Sequence, residues 1–446
     1  MSKDNQIKLS LARIFDKKVE GDFEGGTVTS DGGLLFLRKV EKRVGVIRDL
    51  AKSLRDRRHQ SYIKHSYEDL LRQRVFQIAC GYEDANDCNQ LRKDPAMKAA
   101  CDRLPISGED LASQPTMTRL ENSVCRRDLY RMAVALVDTF LGSYAKPPKA
   151  IILDIDDTED ITHGEQQMTL FNGYYDEDCF MPLHIYEGQT GKLITTILRP
   201  GRRISGKEIV TILRRLVPYI RKRWPKVEVF LRGDSHFSTP EVHDWCEEEH
   251  VYYVLGQTGN VILKDQIAPL LGQAHSLYKY SQKKVRLFRS FSYQAQSWKK
   301  PRRIIAKVEV SSKGENIRFI VTSIQSCQPS FIYDTIYCAR GRMEGFIKNH
   351  KSFLLSDRTS CQSFEANQFR LFLHSAAYVL LHYLAEKGLK DTQWVKAQFN
   401  TIQNRILKVG AKVRELKTKI KFHFPTSFTL KEVFVKILIN LDAAFP

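Results

Sequence analysis

Cysteine is sparse in this chain of 446 residues, and none of its nine cysteines pairs into a Cys-x-x-Cys motif. That spacing excludes the common zinc-finger and thioredoxin patterns. Scattered thiols in odd number suit a reducing compartment. Long apolar runs are missing too. The longest, near residues 371–384, is interrupted by His374 and His382 and falls short of the roughly 20 apolar residues a membrane span needs. The opening Met1-Ser-Lys-Asp-Asn-Gln stretch has no apolar segment of the signal-peptide kind. There is no internal repeat and no low-complexity tract. Acid is in short supply: 51 Asp and Glu stand against 70 Lys and Arg, a net charge of +19. Charged residues make up an ordinary 27%, so the imbalance is an excess of base rather than of charge, which argues against general disorder. It favours a polyanionic partner, nucleic acid or an anionic membrane. No basic helix has the continuous apolar face that membrane binding requires, so a membrane partner is not expected.

With 42% hydrophobic residues the chain can bury a sizeable core, and its length suggests about three domains. Residues 1–148 read as a mainly helical N-terminal domain after a short strand or loop. Gly25-Gly26 and Asp31-Gly32-Gly33 mark turns. Residues 34–46 and 67–80 place apolar side chains at helical spacing, and 116–144 predicts one long helix. Lys146-Pro-Pro-Lys149 breaks that pattern. Residues 149–256 follow a different grammar. Strands at 150–155, 180–186 and 192–198 have short connections and predict an antiparallel meander. A helix at 206–223, a strand at 227–231, a helix at 240–249 and a strand at 251–255 predict parallel pairing. This α/β order, meander then βαβ, is the layout of the ribonuclease-H-like fold. Residues 257–330 read as a β-rich insertion that touches a polyanion through Lys283-Lys284, Lys299-Lys300 and Arg302-Arg303. Residues 331–388 return to helix, and 389–446 form a basic C-terminal region.

Three places stand out chemically. Leu153-Asp154-Ile155-Asp156-Asp157-Thr158 puts an acidic cluster at the end of an apolar strand, which is costly unless something neutralises it. Asp154 and Asp156 share a strand face, and a hard cation held by carboxylate oxygens accounts for them. A solvated acidic loop or a helix cap is the alternative. Asp234, in Leu231-Arg232-Gly233-Asp234-Ser235-His236, follows a strand, where open α/β sheets place functional groups. Capping the next helix is its plainer role. Arg340, Glu344, Lys348 and Lys351 recur at helical spacings and share a face, which by itself reads as a solvated salt-bridge face. Together, two strand-end carboxylates and one helix carboxylate suit two divalent ions about 3.5–4 Å apart, which clamp the attacking and leaving oxygens of phosphoryl transfer.

The sequence resembles the DDE transposases of bacterial insertion sequences, in the group with a Tyr-Arg-Glu-Lys signature. Tyr337, Arg340, Glu344 and Lys351 fit every gap of that signature, Asp156-Asp157-Thr158 fits its Asp-x-Thr context, and Asp234 fits its second Asp. Ser30-Asp31-Gly32-Gly33, Gly81-Tyr82-Glu83-Asp84-Ala85-Asn86 and Arg119-Leu120-Glu121-Asn122 extend the likeness upstream. The resemblance implies cleavage of an element's ends and their joining to target DNA. Asp156, Asp234 and Glu344 are the implied catalytic residues and ligands of two Mg²⁺ or Mn²⁺ ions, with Asp154 as the rival or supporting acid. Tyr337, Arg340, Lys348 and Lys351 are the implied DNA contacts. Double-stranded DNA, both terminal repeats and target, is the implied partner of a homodimer in the bacterial cytoplasm, at the nucleoid. The alternatives are a related metal-dependent nuclease that cuts without joining, and a non-catalytic DNA-binding protein derived from a transposase.

Overall fold

The computed structural model describes residues 9–444; the opening stretch without an apolar segment lies outside them. The chain divides into two compact units. One comprises the described residues up to Glu121 together with those from Leu380 onward, and the other runs from Asn122 to Val379.

The first unit is mainly helical, with helices such as Leu34–Val44, Val46–Ser53 and Tyr67–Ala79. Ser66 and Asp69 form a capping box that starts the last of these. Its far ends in sequence are stitched together. Val28–Thr29 pairs antiparallel with Ala411–Glu415, and the Gly32 and Gly33 amides donate to the carbonyls of Val409 and Leu407 at 2.9 and 3.1 Å. A Cβ on Gly33 would lie 1.8 Å from the Ile406 carbonyl oxygen, so only glycine allows this approach. The N-terminal and C-terminal regions, expected as separate domains over 1–148 and 389–446, thus contribute to one unit, whose bounds are Glu121 and Leu380.

The second unit is built on an eight-stranded mixed sheet. Helix α1 (Arg126–Gly142) precedes it, separated from helix Gln114–Glu121, where one long helix was expected. The break has a local cause: the Cys125 amide donates to Asp128 Oδ2 at 3.1 Å, starting a new helix. Strands β1 (Ala150–Asp157), β2 (Leu183–Glu187) and β3 (Leu193–Ile197) pair antiparallel in sequence order. Helix α2 (Gly206–Arg223) leads to β4 (Glu228–Gly233), and α3 (Pro240–Glu248) to β5 (Tyr252–Gln257). Strand β4 lies parallel to β1 on one side and to β5 on the other. Alternation along β1 sends Leu153 and Ile155 into a core shared with Ile185, Leu231 and Tyr253, and sends Asp154 and Asp156 to the opposite face.

Residues 257–330 begin with a 21-residue helix, α4 (Val261–Ser281), before three strands, β6 (Val285–Tyr293), β7 (Arg302–Ser311) and β8 (Gly314–Thr322). These strands prolong the main sheet, because β8 pairs antiparallel with β5. Their basic residues are largely engaged within the fold. Buried Arg302 binds Asp244 and Glu247, Lys299 and Lys300 bind the same two acids, and Lys284 binds Glu309. Arg303 donates to the carbonyls of Ile324, Gln325 and Cys327. After β8, a π-helical stretch (Ile332–Tyr337) and a 3-10 turn (Cys338–Arg340) lead into α5 (Gly341–Lys348).

Candidate active site

The site forms at the carboxyl ends of β1 and β4. Register pairing sets Asp154 opposite Arg232, and the two form a fully buried bidentate pair, Nε to Oδ1 at 2.5 Å and Nη2 to Oδ2 at 2.6 Å. Arg232 also donates to the carbonyls of Ile336 and Gly188. It thereby ties β1, the turn after β2 and the segment entering α5. A Cβ on Gly188 would come within 2.6 Å of both members of the pair, so glycine is required there. Asp154, placed by sequence among the metal ligands, presents its carboxylate to this guanidinium.

Two residues further along each strand the pattern repeats at the strands' carboxyl ends. Asp156 ends the β1 face, and Asp234 follows the last residue of β4. Asp156 Oδ2 accepts from Arg340 Nη2 at 2.8 Å, and Asp234 Oδ2 lies 3.9 Å from the same nitrogen. Asp234 Oδ1 accepts the His236 amide at 2.8 Å, a local turn that fixes its rotamer. Burial pushes the Asp156 carboxyl up to about 7. The neighbouring Asp234 and Asp157 carboxylates push the same way, and Arg340 opposes them. The Asp157 side chain points elsewhere, with Oδ1 3.8 Å from His236 Nδ1 and Oδ2 3.7 Å from Arg199.

Tyr337 reaches the same region. A Cβ on Gly256 would meet its hydroxyl oxygen at 2.8 Å, so glycine at the end of β5 makes room for the ring. Burial, with Asp234 nearby, raises the phenol's pKa. Glu344 sits in the first turn of α5. With Asp156, Asp157, Thr158, Lys348 and Lys351 it lines a cleft of about 280 Å³. Lys351 Nζ binds Glu159 Oε1 at 2.9 Å and Thr158 Oγ1 at 3.3 Å, and Lys348 Nζ lies 5.5 Å from the centre of the Phe353 ring. The acids are therefore gathered unequally: Asp156 and Asp234 meet on Arg340, while Glu344 shares a cleft with Asp156. Among the described residues, no three Asp, Glu, His or Cys side chains converge tightly enough to hold a metal ion.

The motifs of the sequence leave Arg232 without a role. Its signal was there: Asp-x-Asp on β1 and Arg-x-Asp across β4 place four charged groups on one sheet face. No spacing announced the buried pair of His184, opposite Asp156 in register, and His350, whose ring centre lies 5.0 Å from it.

Comparison with known proteins follows this geometry. The sequence profile described as transposase DDE domain group 1 matches residues 11–445. The comparison with curated proteins finds no significant match. Among solved structures, the cryo-EM structure of the piggyBac transposase synaptic complex with hairpin DNA is similar at 12% identity and a TM-score of 0.42, over 85% of this chain and 80% of that one. No described helix is long and apolar enough to cross a membrane. Because the profile spans almost the entire sequence, the chain belongs to the transposase DDE domain group 1 family and is a DNA transposase.

Proposed function

We propose that this transposase cuts the ends of an insertion sequence and joins them to target DNA, with Asp156, Asp234 and Glu344 as its catalytic carboxylates. Support comes above all from the meeting of Asp156 and Asp234 on one guanidinium at the ends of adjacent parallel strands. Ligands bind at that end of open α/β sheets. The order β3-β2-β1-β4-β5 within the sheet supports a ribonuclease-H-like core, and the helical first unit is the proposed DNA-binding part of the chain.

DDE transposases generally use divalent metal ions, and the chemistry of the donors here suits one once Arg340 no longer stands between Asp156 and Asp234. All three carboxylates offer hard oxygens, as Mg²⁺ and Mn²⁺ prefer. Asp156, Asp234 and Glu344 are the proposed ligands of two ions, with Asp154 held behind them by Arg232. Bound ions of this kind lower the pKa of a water and stabilise the leaving 3′ oxygen. The protein's own groups position the DNA. Arg340 and Lys351 exchange their carboxylate partners for phosphates flanking the scissile bond, Lys348 adds charge to the cleft, and the Tyr337 hydroxyl is at hand for one more phosphate contact. No protein–DNA covalent bond is needed, so no nucleophilic side chain is assigned. Because two element ends must be cut, a homodimer on DNA is the proposed assembly.

A strand-transfer assay tests this function. A pre-cut element end with a free 3′-OH, incubated with plasmid and Mg²⁺, is expected to yield joined products. Cutting without joining would indicate the nuclease alternative instead.

A further inference from the structure

Arg340 stands where a catalytic cation would have to compete with it. Its Nη2 lies 2.8 Å from Asp156 Oδ2 and 3.9 Å from Asp234 Oδ2, so a single guanidinium serves both acids. Its side chain is only 18% exposed and that of Asp156 16%, and at such burial like charges a few ångströms apart repel strongly. A divalent ion on these oxygens and Arg340 in this position are therefore mutually unfavourable.

The attachment of Arg340 is also unusually light. Arg232, whose acid lies two residues earlier on β1, is fixed by both oxygens of Asp154 and by two backbone carbonyls. Among the described residues the Arg340 side chain is held by the acids alone, and its Nε is buried without a hydrogen-bond partner. It sits on a 3-10 turn between a π-helical stretch and α5, a change of helical pitch of the sort found at functional hinges. Gly341, next in the chain, would have nothing within 4 Å of a Cβ, so the turn is not packed in place there. A phosphate presents oxygens to a guanidinium fork much as a carboxylate does. Arg340 can pass from one to the other without leaving its charge unpaired.

We propose that Arg340 is the resident counter-cation of the Asp156–Asp234 pair, and that a DNA phosphate draws it off these acids as divalent ions bind them. DNA binding and metal loading are then coupled, each strengthening the other as linkage requires. This rests on the proposed assignment of Asp156 and Asp234 as metal ligands. It gives Arg340 a role before the phosphate arrives: it keeps the acids neutralised and the free enzyme poorly loaded with metal.

The test is Mn²⁺ binding to the full-length protein, read from the loss of the free-ion electron paramagnetic resonance signal, with and without a short DNA duplex. Mn²⁺ bound by the duplex alone is subtracted. Wild type should bind Mn²⁺ about 5–150-fold more tightly with the duplex. Arg340→Gln should bind tightly without it and gain little from it. Arg340→Met, which keeps the stem's packing, serves if the Gln variant unfolds. Variants that bind Mn²⁺ no better than wild type in the absence of DNA would overturn the proposal, as would wild-type affinity indifferent to the duplex. The underlying assignment is tested separately by adding Asp156→Asn and Asp234→Asn to Arg340→Gln. These should abolish the tight site, and undiminished Mn²⁺ binding would place the ions elsewhere.

Discussion

Asp154 and Asp156 lie two residues apart on one strand face, yet their surroundings assign them different work. Asp154→Asn leaves the Arg232 guanidinium buried without its counter-charge and should cost about 3–5 kcal/mol of stability, measured by denaturant unfolding. Replacing both partners, as Asp154→Leu with Arg232→Met, should recover most of that loss, because a buried ion pair is often no better than apolar packing. Asp156→Asn should leave the fold intact and abolish nicking at every Mg²⁺ concentration. Any activity lost by the Asp154 variants should return with more metal, as for a group that orients ligands from behind. A dead Asp154→Asn and a metal-rescued Asp156→Asn would reverse the two roles. The shared face and the greater depth of Asp154 were legible in the sequence. Its partner was legible only as a charge at matching spacing on β4; that Arg232 meets Asp154 is decided by register across the parallel strands. The buried histidines behind Asp156 give a pH signature. Burial pushes His184 down to about 3 and His350 well below its ordinary value. A histidine with a depressed folded pKa contributes stability above its unfolded value, 6.5, and loses it as pH falls. Denaturant midpoints should therefore decline steadily below pH 6.5, and His184→Phe should flatten that decline. An equally steep profile in the variant would dismiss this histidine as its source.

At the level of elements, periodicity located the strands and helices around the site. The alternation of Leu153, Ile155 and their acidic neighbours, and the Ser205–Glu208 capping box of α2, are local signals and were readable. Long-range pairing was not. The sequence shows the charge of Lys299, Lys300 and Arg302 but not the acids of α3 that face them. Arg302→Gln should lower stability to denaturant, since it removes the buried guanidinium shared by Asp244 and Glu247 and leaves these acids Lys299 and Lys300. Lys299→Gln with Lys300→Gln should leave the salt dependence of DNA binding almost unchanged. A slope lowered by about 0.9 for each of these residues would instead mean direct phosphate contacts.

Across the whole molecule, segments from near the two ends of the sequence are joined through Gly32 and Gly33. The Ser30-Asp31-Gly32-Gly33 motif was visible as a turn, but nothing local says that its amides seek the carbonyls of Val409 and Leu407. Gly33→Ala forces a Cβ against the Ile406 carbonyl and should destabilise the first unit, seen as faster amide hydrogen exchange over Leu34–Val44 and Ala411–Glu415. The net charge of +19 predicts DNA affinity that falls steeply with salt. The central claim, however, is that three acids from separate parts of the chain act as one catalytic centre. Mg²⁺-dependent nicking of the DNA flanking the coding sequence, measured for Asp156→Asn, Asp234→Asn and Glu344→Gln at equal DNA occupancy, tests it most directly. The account predicts that all three bind DNA and none nicks it; wild-type nicking by any one of them would contradict it.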